Sequence, residues 1–341
     1  MADQNRDGFT LQYQAVSDKR EIILQVKDLT VEYVTDDEVA KAVNHVSFEL
    51  RSGSTLGLVG ETGAGKTTIA KAVLGVLPDV SARICGGEIL FNGSDLLELS
   101  EMEMQKIRGN QISMIFQDPM TALNPTMKIG DQIKEAIMLH EKLSHAEGEK
   151  RAVDMLEMVG IPGERYSDYP HQFSGGMKQR VVIAIALACK PQLLIADEPT
   201  TALDVTIQAQ VLDMMMKLKM ELGTSVIMIT HDLGIIAETC DYVAVIYSGE
   251  VVECGTSEDI FDYASHPYTV GLFASLPSRS GKGERLKPIK GMMPDPADLP
   301  EGCPFAERCP CPEKQCFSTK PEYLHLSDTH IVKCCKRWER Q

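Results

Sequence analysis

Short apolar runs alternate along this chain with stretches of helical periodicity. The runs at 55–59, 112–116, 193–197, 225–230 and 242–247 predict short strands. The run at 193–197 is apolar up to its last residue, which is typical of a central parallel strand buried on both faces. Strands that alternate with helical segments predict an α/β fold built on a parallel sheet.

The same patterns predict further strands, and helical periodicity predicts helices in the segments between strands. Further short strands are predicted at 22–26, 29–33, 43–50 and 86–92, and helices at 69–74, 181–188 and 207–222. Between 129 and 159 the apolar residues recur at i, i+3 and i+4, which indicates two helices. The charged stretch 140–151 is predicted to be the exposed link between them. These two helices are interpreted as part of an inserted helical subdomain at about 118–188.

A glycine-rich loop lies between the predicted strand 55–59 and the helix 69–74. Its sequence fits G-x-x-x-x-G-K-[ST], and its residues are Gly60, Glu61, Thr62, Gly63, Ala64, Gly65, Lys66, Thr67 and Thr68. The glycines let successive N–H groups face one concavity, and the following helix adds its positive end. Lys66 would reach the β- and γ-phosphates of a nucleotide, and the Thr67 hydroxyl would coordinate Mg²⁺.

Two carboxylates follow the most apolar strand. Asp197 is the last residue of the run at 193–197, and Glu198 follows it. Ligands of open α/β sheets bind at the carboxyl ends of strands. Asp197 would hold Mg²⁺ directly or through water, and Glu198 would polarise an attacking water. His231 follows the strand 225–230 at the same end of the predicted sheet, where it could sense the γ-phosphate.

Each of three other features has two interpretations when only its chemistry is considered. Ser174, Gly175 and Gly176 form either a second anion-binding helix start or a plain serine-capped helix. Tyr33, upstream of the glycine-rich loop, could stack on an adenine ring or pack as a strand tyrosine. Gln117, at the end of the strand 112–116, is either a solvated loop residue or part of the site.

Composition narrows the classes of partner. The 341 residues carry a formal net charge of −15, which disfavours a general binder of nucleic acid or anionic membranes. The longest apolar run, 181–189, has about half the residues of a membrane-spanning helix. Residues 1–20 are polar and lack the apolar core of a secretory signal. We therefore expect a cytosolic chain with reduced thiols.

Cysteines concentrate near the far end. Six of the ten lie between 303 and 335, and four of them are candidate ligands: Cys303, Cys309, Cys316 and Cys334. Four thiolates suit tetrahedral zinc or a four-cysteine iron–sulfur cluster. The spacing matches neither common zinc fingers nor ferredoxins. Reduced, unliganded thiols are the third interpretation, and Cys311 or Cys335 could replace a neighbouring ligand.

Residues 173–177 (Phe-Ser-Gly-Gly-Met) resemble the signature loop of ATP-binding-cassette ATPases. Gln117 resembles the Q-loop glutamine of that family, residues 201–204 (Thr-Ala-Leu-Asp) its D-loop, His231 its switch histidine and Tyr33 its adenine-stacking aromatic residue. The resemblance covers about 20–265. The chain departs from the common signature at Phe173, where leucine is more usual, and at Met177, where glutamine is.

The resemblance implies a P-loop ATP-binding-cassette ATPase with a RecA-like core sheet and an inserted helical subdomain. It implies Mg²⁺ held by Thr67, Gln117 and Asp197, Glu198 as catalytic base and His231 as γ-phosphate sensor. Such cassettes dimerise head to tail, so that Ser174, Gly175 and Gly176 of one subunit meet the ATP of the other. Gln117 and the helical subdomain would pass the motion to membrane partners.

The far end indicates a subfamily. A C-terminal extension begins at 266–269, and residues 298–310 resemble the tail of oligopeptide and dipeptide importer ATPases, as do residues 204–210. This implies ATP-driven peptide import at the cytoplasmic face of the membrane. The partners would be two permeases, a second and non-identical ATPase, and an extracytoplasmic peptide-binding protein, with no nucleic acid.

Alternatives within this resemblance concern cargo and metal. A nickel or glutathione importer has the same architecture, and a soluble cassette protein acting on nucleic acid or ribosomes is the alternative from another class. Members of the resembled group can carry a [4Fe–4S] cluster on such a tail, which favours the cluster over zinc. The implied domains are a flexible segment at 1–20, the nucleotide-binding domain at 21–265 and a cysteine-rich extension at 266–341.

Overall fold

The computed structural model describes residues 20–35, 38–200, 203–275 and 288–335, with the side chains of Pro119 and Met120 left aside. The chain forms two compact units. The first takes in Met1–Arg51, Leu56–Leu97 and His231–Gln341, and the second takes in Ser52–Thr55 and Glu98–Thr230. The predicted division at 20 and 265 stays a prediction. Residues 278–283, whose glycine, lysine and serine content predicts a linker, lie outside the described residues.

The described residues form twelve strands and ten α-helices. The strands are β1 Ile22–Val34, β2 Val39–Arg51, β3 Thr55–Val59, β4 Ala82–Phe91, β5 Ser94–Asp95, β6 Ile112–Ile115, β7 Leu193–Asp197, β8 Ser225–Ile229, β9 Tyr242–Tyr247, β10 Glu250–Thr256, β11 Tyr323–His325 and β12 Ile331–Lys333. The helices are α1 Lys66–Leu74, α2 Glu101–Ile107, α3 Pro119–Ala122, α4 Ile129–His140, α5 His145–Met158, α6 Gly175–Leu187, α7 Val205–Leu222, α8 Leu233–Thr239, α9 Ser257–Asp262 and α10 Pro267–Ala274.

The first unit contains two sets of strands. One is an antiparallel sheet in the order β2-β1-β4-β5, and the other runs β11-β12-β10-β9-β3, with β3 parallel to β9. The strands predicted at 22–26 and 29–33 are a single strand, β1. Asp28 adopts a left-handed φ of 50° between them, and the register shifts there. A bulge bends a strand without ending it. The sequence pattern is interrupted at the bulge, so it predicts two strands where there is one.

The second unit is built on three parallel strands. β7 pairs with β6 on one side and β8 on the other, so that Ile115 aligns with Ala196 and Asp197 with Ile229. Every residue of β7 and β8 is buried, as the apolar runs predict. The carboxyl ends of the three strands therefore lie along one edge. Among the described residues, no helix has the length and apolarity to cross a bilayer.

The predicted link between the two inserted helices is wrong. α5 begins at His145, so the connection is only 141–144, and most of the charged stretch 140–151 is helical. Ser144 accepts a hydrogen bond from Glu147 N at 3.3 Å, and the Glu147 carboxylate accepts one from Ser144 N at 2.8 Å. This capping box begins a helix whose charges lie on its solvated face.

Buried aromatic rings anchor the tail, 288–335, within the first unit. Phe305 packs against Tyr247 at 5.3 Å and against Tyr268 at 5.5 Å between ring centroids, and each of the three is at most 1% exposed. The tail adds β12 to β10 and otherwise has little regular structure. Its position therefore depends on these rings and on polar contacts.

We predict that Ser144→Ala destabilises the start of α5 by about 1 kcal/mol, because the Glu147 amide loses its acceptor. Amide hydrogen exchange at the first turn of α5 measures this loss. Ser144→Asp, which keeps an acceptor at the cap, should exchange like the parent. Equal protection in the alanine variant would contradict the capping role.

Candidate nucleotide site

The glycine-rich loop is pressed against neighbouring backbone in the first unit. Gly60 has a φ of 156°, and a Cβ there would lie 2.1 Å from the carbonyl oxygen of Ile246. Gly65 has a φ of 106°, and a Cβ there would lie 2.4 Å from the carbonyl oxygen of Ala42. Only glycine fits at these two positions, because backbone atoms cannot move aside as a side chain can.

Lys66 holds the curvature of this loop. Its side chain is mostly buried, the residue being 8% exposed, and Nζ donates to the carbonyl oxygens of Gly60 at 2.7 Å and Glu61 at 2.8 Å. Thr62 and Gly63 are exposed at the apex. A glycine-rich loop with an exposed apex at the start of the nine-residue helix α1 suits an anion such as a phosphate.

Two predicted contacts of the nucleotide lie beside this loop. The Tyr33 hydroxyl is 3.4 Å from Thr68 Oγ1 in the first turn of α1, and the ring is half-buried on β1. Thr67 is the second residue of α1 and is also half-buried. The structure thus brings Tyr33 to the glycine-rich loop, and adenine stacking itself stays a prediction.

Two residues that sequence reasoning missed contact the loop at Glu61. Arg308 Nη1 lies 3.0 Å from a Glu61 carboxylate oxygen, and the Glu61 N–H donates to the Tyr268 hydroxyl at 2.9 Å. These partners follow Glu61 by 247 and 207 residues. No local spacing signals such contacts, although Arg308 lies inside the tail motif that indicates the subfamily.

Asp197 and Glu198 end the central strand of the second unit. Asp197 is 2% exposed, and the Glu198 N–H donates to the carbonyl oxygen of Ile229 at 2.8 Å. Glu198 adopts a left-handed φ of 50°, which is uncommon for a residue other than glycine. Such backbone conformations concentrate at functional sites, where surrounding contacts hold them.

Gln117 contacts the candidate catalytic base. Its Nε2 donates to Glu198 Oε2 at 3.1 Å, across the parallel strands β6 and β7. The sequence predicts both residues at the same edge but not this hydrogen bond, which depends on side-chain conformation. The contact lets an amide position the carboxylate that would accept a proton from water.

The signature loop, 173–177, leads into α6, and Ser174 caps the first turn of that helix. Ser174 Oγ accepts from Met177 N at 3.4 Å, so the capping interpretation is confirmed, and anion binding stays a prediction. A Cβ on Gly176 would lie 2.5 Å from Ile207 Cγ2, so a larger residue there would force the Ile207 side chain to shift where α6 approaches α7. Gly175 has more room, with Leu203 Cδ2 at 3.8 Å.

Arg165, which sequence reasoning missed, supports this loop. Its guanidinium stacks 4.3 Å from the Phe173 ring centroid and donates to the carbonyl oxygen of Gln172 at 3.1 Å and to Asp168 at 2.7 Å. An aromatic ring at 173 attracts the cation more than an aliphatic side chain would. The departure of Phe173 from the usual leucine thus has a structural use.

His231 and the predicted D-loop are the remaining predicted site residues. His231 is exposed and precedes Asp232, the N-cap residue of α8. In the predicted D-loop, Thr201 and Ala202 lie outside the described residues, and Asp204 is the N-cap residue of α7.

The cysteine geometry gives no support to the predicted [4Fe–4S] cluster or to zinc. Burial is the main cause that raises the pKa of the Cys303 thiol to about 11, and the nearby Cys316, Cys334 and Cys309 thiols raise that pKa too. Cys309 and Cys311 have their Sγ atoms 3.9 Å apart. Within the described ranges, no group of three or more His, Cys, Asp or Glu residues is placed to hold a metal ion. The thiols are neighbours without a coordination geometry.

Comparisons with protein families find two matches. The model described as "ABC transporter" matches residues 43–201, and the one described as "Oligopeptide/dipeptide transporter, C-terminal region" matches residues 252–316. The chain is 51% identical over 316 residues to the dipeptide transport ATP-binding protein DppD of Bacillus subtilis, covering 92% of this chain and 94% of the relative. It is 50% identical over 301 residues to the oligopeptide transport ATP-binding protein OppD of Escherichia coli, covering 88% and 89%.

Solved structures share the fold. The dimeric post-hydrolysis state of the ATP-binding cassette MJ0796, bound to ADP and phosphate, matches with a TM-score of 0.62 and 26% identity, covering 69% of this chain and 99% of that one. CbiO1 from Clostridium perfringens, part of an ABC transporter complex, matches with a TM-score of 0.62 and 28% identity, covering 74% and 95%.

We predict that Arg165→Met speeds amide hydrogen exchange across residues 172–177, because Phe173 and the Gln172 carbonyl lose their common anchor. Arg151→Met serves as the matched control, since Arg151 pairs with Glu141 in the same unit and does not touch the signature loop. Unchanged exchange in the Arg165 variant, or an equal change in the control, would contradict the anchoring role.

Proposed function

The chain belongs to the ABC transporter family, among the ATP-binding proteins of dipeptide and oligopeptide transport, and on that premise we propose that its ATP hydrolysis drives peptide import. One observation carries this proposal. The 51% identity to a dipeptide transport protein extends over 92% of the chain, and the family model of the peptide-transporter tail matches as well. Nickel or glutathione cargo and a role on nucleic acid or ribosomes have no comparable support.

In this proposal the glycine-rich loop, 60–68, is the phosphate loop and binds the triphosphate. Lys66 pairs with the β- and γ-phosphates, and one such contact at about 4 Å contributes roughly 4 kcal/mol at an effective dielectric near 20, before desolvation. Thr67, Gln117 and Asp197 would hold Mg²⁺, which would neutralise charge on the phosphate oxygens. The buried position of Lys66 and the loop at the start of α1 support the role of Lys66.

Glu198 is the proposed catalytic base. A water that attacks the γ-phosphorus gives its proton to the carboxylate, and the bond to the leaving β-phosphate oxygen breaks. The left-handed backbone at Glu198 and the hydrogen bond from Gln117 support a positioned carboxylate. His231 senses the γ-phosphate, and Tyr33 stacks on the adenine.

A second subunit completes the proposed site. Ser174, Gly175 and Gly176 of one subunit meet the ATP bound by the phosphate loop of the other, so that ATP joins the two and hydrolysis releases them. The dimeric state of the similar cassette MJ0796 supports a pairing of two cassettes. The second ATPase is non-identical in this proposal.

The proposed assembly also includes membrane partners. We propose two permeases, an extracytoplasmic peptide-binding protein and peripheral attachment at the cytoplasmic face of the membrane. The functions of the similar proteins, dipeptide and oligopeptide transport, support this assembly. Gln117 and the helical subdomain would carry the motion to the permeases.

The proposed [4Fe–4S] cluster on Cys303, Cys309, Cys316 and Cys334 rests on the resemblance of the tail alone. The observed thiol geometry does not fit a metal site, so no step of hydrolysis depends on a metal there. Iron and sulfide analysis of anoxically purified protein tests the proposal. Stoichiometric iron and sulfide in a coloured protein would support it. A colourless protein would end it, with stoichiometric zinc in favour of the alternative.

We predict that Glu198→Gln lowers ATP turnover by about 10²- to 10⁴-fold, because the amide cannot take a proton from water. ATP should still bind, since Lys66 is unchanged. Turnover and nucleotide retention are measured on the assembled transporter. Glu221→Gln, the same change at an exposed carboxylate on α7, is the control. Hydrolysis near the parent rate in the Glu198 variant would remove it from the role of base.

The cargo is tested by uptake. Cells that lack this subunit should lose uptake of labelled dipeptides or oligopeptides while nickel uptake continues, and the parent sequence should restore peptide uptake. Loss of nickel or glutathione uptake with normal peptide uptake would contradict the proposed cargo.

A further inference from the structure

We propose that Arg308 of the tail is a positioning residue for the phosphate loop, and that its ion pair with Glu61 sets the affinity of the subunit for ATP. This inference rests on the proposed function and deepens it. It gives the tail, 288–335, a direct role at the nucleotide site.

The C-terminal part of the chain contacts two polar groups of Glu61. The carboxylate pairs with Arg308 at 3.0 Å, and the backbone N–H donates to the Tyr268 hydroxyl at 2.9 Å. The Glu61 carbonyl oxygen accepts from Lys66 Nζ at 2.8 Å. One residue therefore joins the C-terminal part of the chain to the lysine that is proposed to bind phosphate.

Arg308 is fixed on several sides. Its side chain is 6% exposed, with Nη1 also 3.2 Å from the Tyr247 hydroxyl and Nε donating to the Lys290 carbonyl oxygen at 3.1 Å. The guanidinium lies 5.6 Å from the Tyr247 ring centroid and 5.9 Å from that of Phe305. A planar guanidinium held by rings and directed hydrogen bonds positions its partner more tightly than a surface lysine would.

Tyr268 is fixed as firmly. Its N–H donates to His266 Nδ1 at 3.1 Å at the start of α10. Burial lowers the pKa of His266 to about 3, so the ring is neutral and its nitrogen can accept. The backbone N–H of His266 in turn donates to the Glu253 carboxylate, which also lies 2.8 Å from His330 Nε2. The tail residue His330 is thus part of the network that holds Tyr268.

Charge explains how the Glu61–Arg308 ion pair affects the affinity for ATP. A triphosphate bound at the loop carries several negative charges, and a carboxylate on the second residue of that loop repels them. The adjacent guanidinium offsets this repulsion, because opposite charges in contact cancel much of each other's field. Removal of Arg308 leaves the carboxylate of Glu61 without its paired cation beside the phosphates.

A purely structural role of the Glu61–Arg308 pair predicts a different result. Loss of Arg308 would then weaken the binding of all ligands alike, and neutralising Glu61 would not restore it. The charge account predicts a loss that grows with the number of phosphates and that disappears when Glu61 loses its charge.

The test measures affinities of the full chain for MgATP, MgADP and adenosine by titration calorimetry, with thermal unfolding recorded for each variant. Arg308→Met should weaken MgATP about tenfold, MgADP less, and adenosine not at all. Glu61→Gln in the Arg308→Met background should restore MgATP affinity to about twofold of the parent. Arg308→Lys, which keeps the cation, should stay within about threefold even if it unfolds earlier.

Lys333→Met is the matched control. Lys333 is a tail cation with an 11% exposed side chain, and its ion pair with Glu250 at 2.7 Å does not touch the loop. Its variant should bind MgATP like the parent. Equal MgATP affinity of Arg308→Met and the parent, equal losses in both tail variants, or a double variant without recovery would each overturn the inference. A parent chain that binds no MgATP would instead overturn the proposed function itself.

Discussion

The ammonium group of Lys66, buried and held by the carbonyl oxygens of Gly60 and Glu61, fixes the shape of the phosphate loop. The loop can curve around this cation only because Gly60 and Gly65 allow close approach to the backbone of Ile246 and Ala42. The neighbouring strands β9 and β2 thus define the site as much as the motif does. An ATPase needs such a fixed loop, because positioned donors need not reorganise while the phosphoryl group is transferred.

The sequence predicts those parts of the site that depend on local geometry. The run before Asp197 predicts a buried parallel strand, and β7 is fully buried between β6 and β8. Ser174 followed by two glycines predicts a helix start, and α6 begins there. In both cases the periodicity and the turn chemistry of a few neighbouring residues determine the outcome, so a short window contains the information.

The sequence does not predict what depends on distant partners or on competing local signals. The Glu61–Arg308 pair joins residues 247 positions apart and leaves no periodic trace. In the charged stretch 140–151, the capping box at Ser144 outweighs the polar composition, so a helix forms where a link is predicted. The cysteines differ again. Their clustering along the chain predicts proximity, but coordination also needs directions that spacing alone does not set.

The most direct test of the central claim is the MgATP affinity and phosphate release of Lys66→Ala, compared with Lys71→Ala from the same helix. The account predicts that Lys66→Ala loses both nucleotide binding and phosphate release, because the cation that shapes the loop and meets the phosphates is gone. Lys71→Ala should keep both. Parent-like affinity and phosphate release in Lys66→Ala would contradict the account.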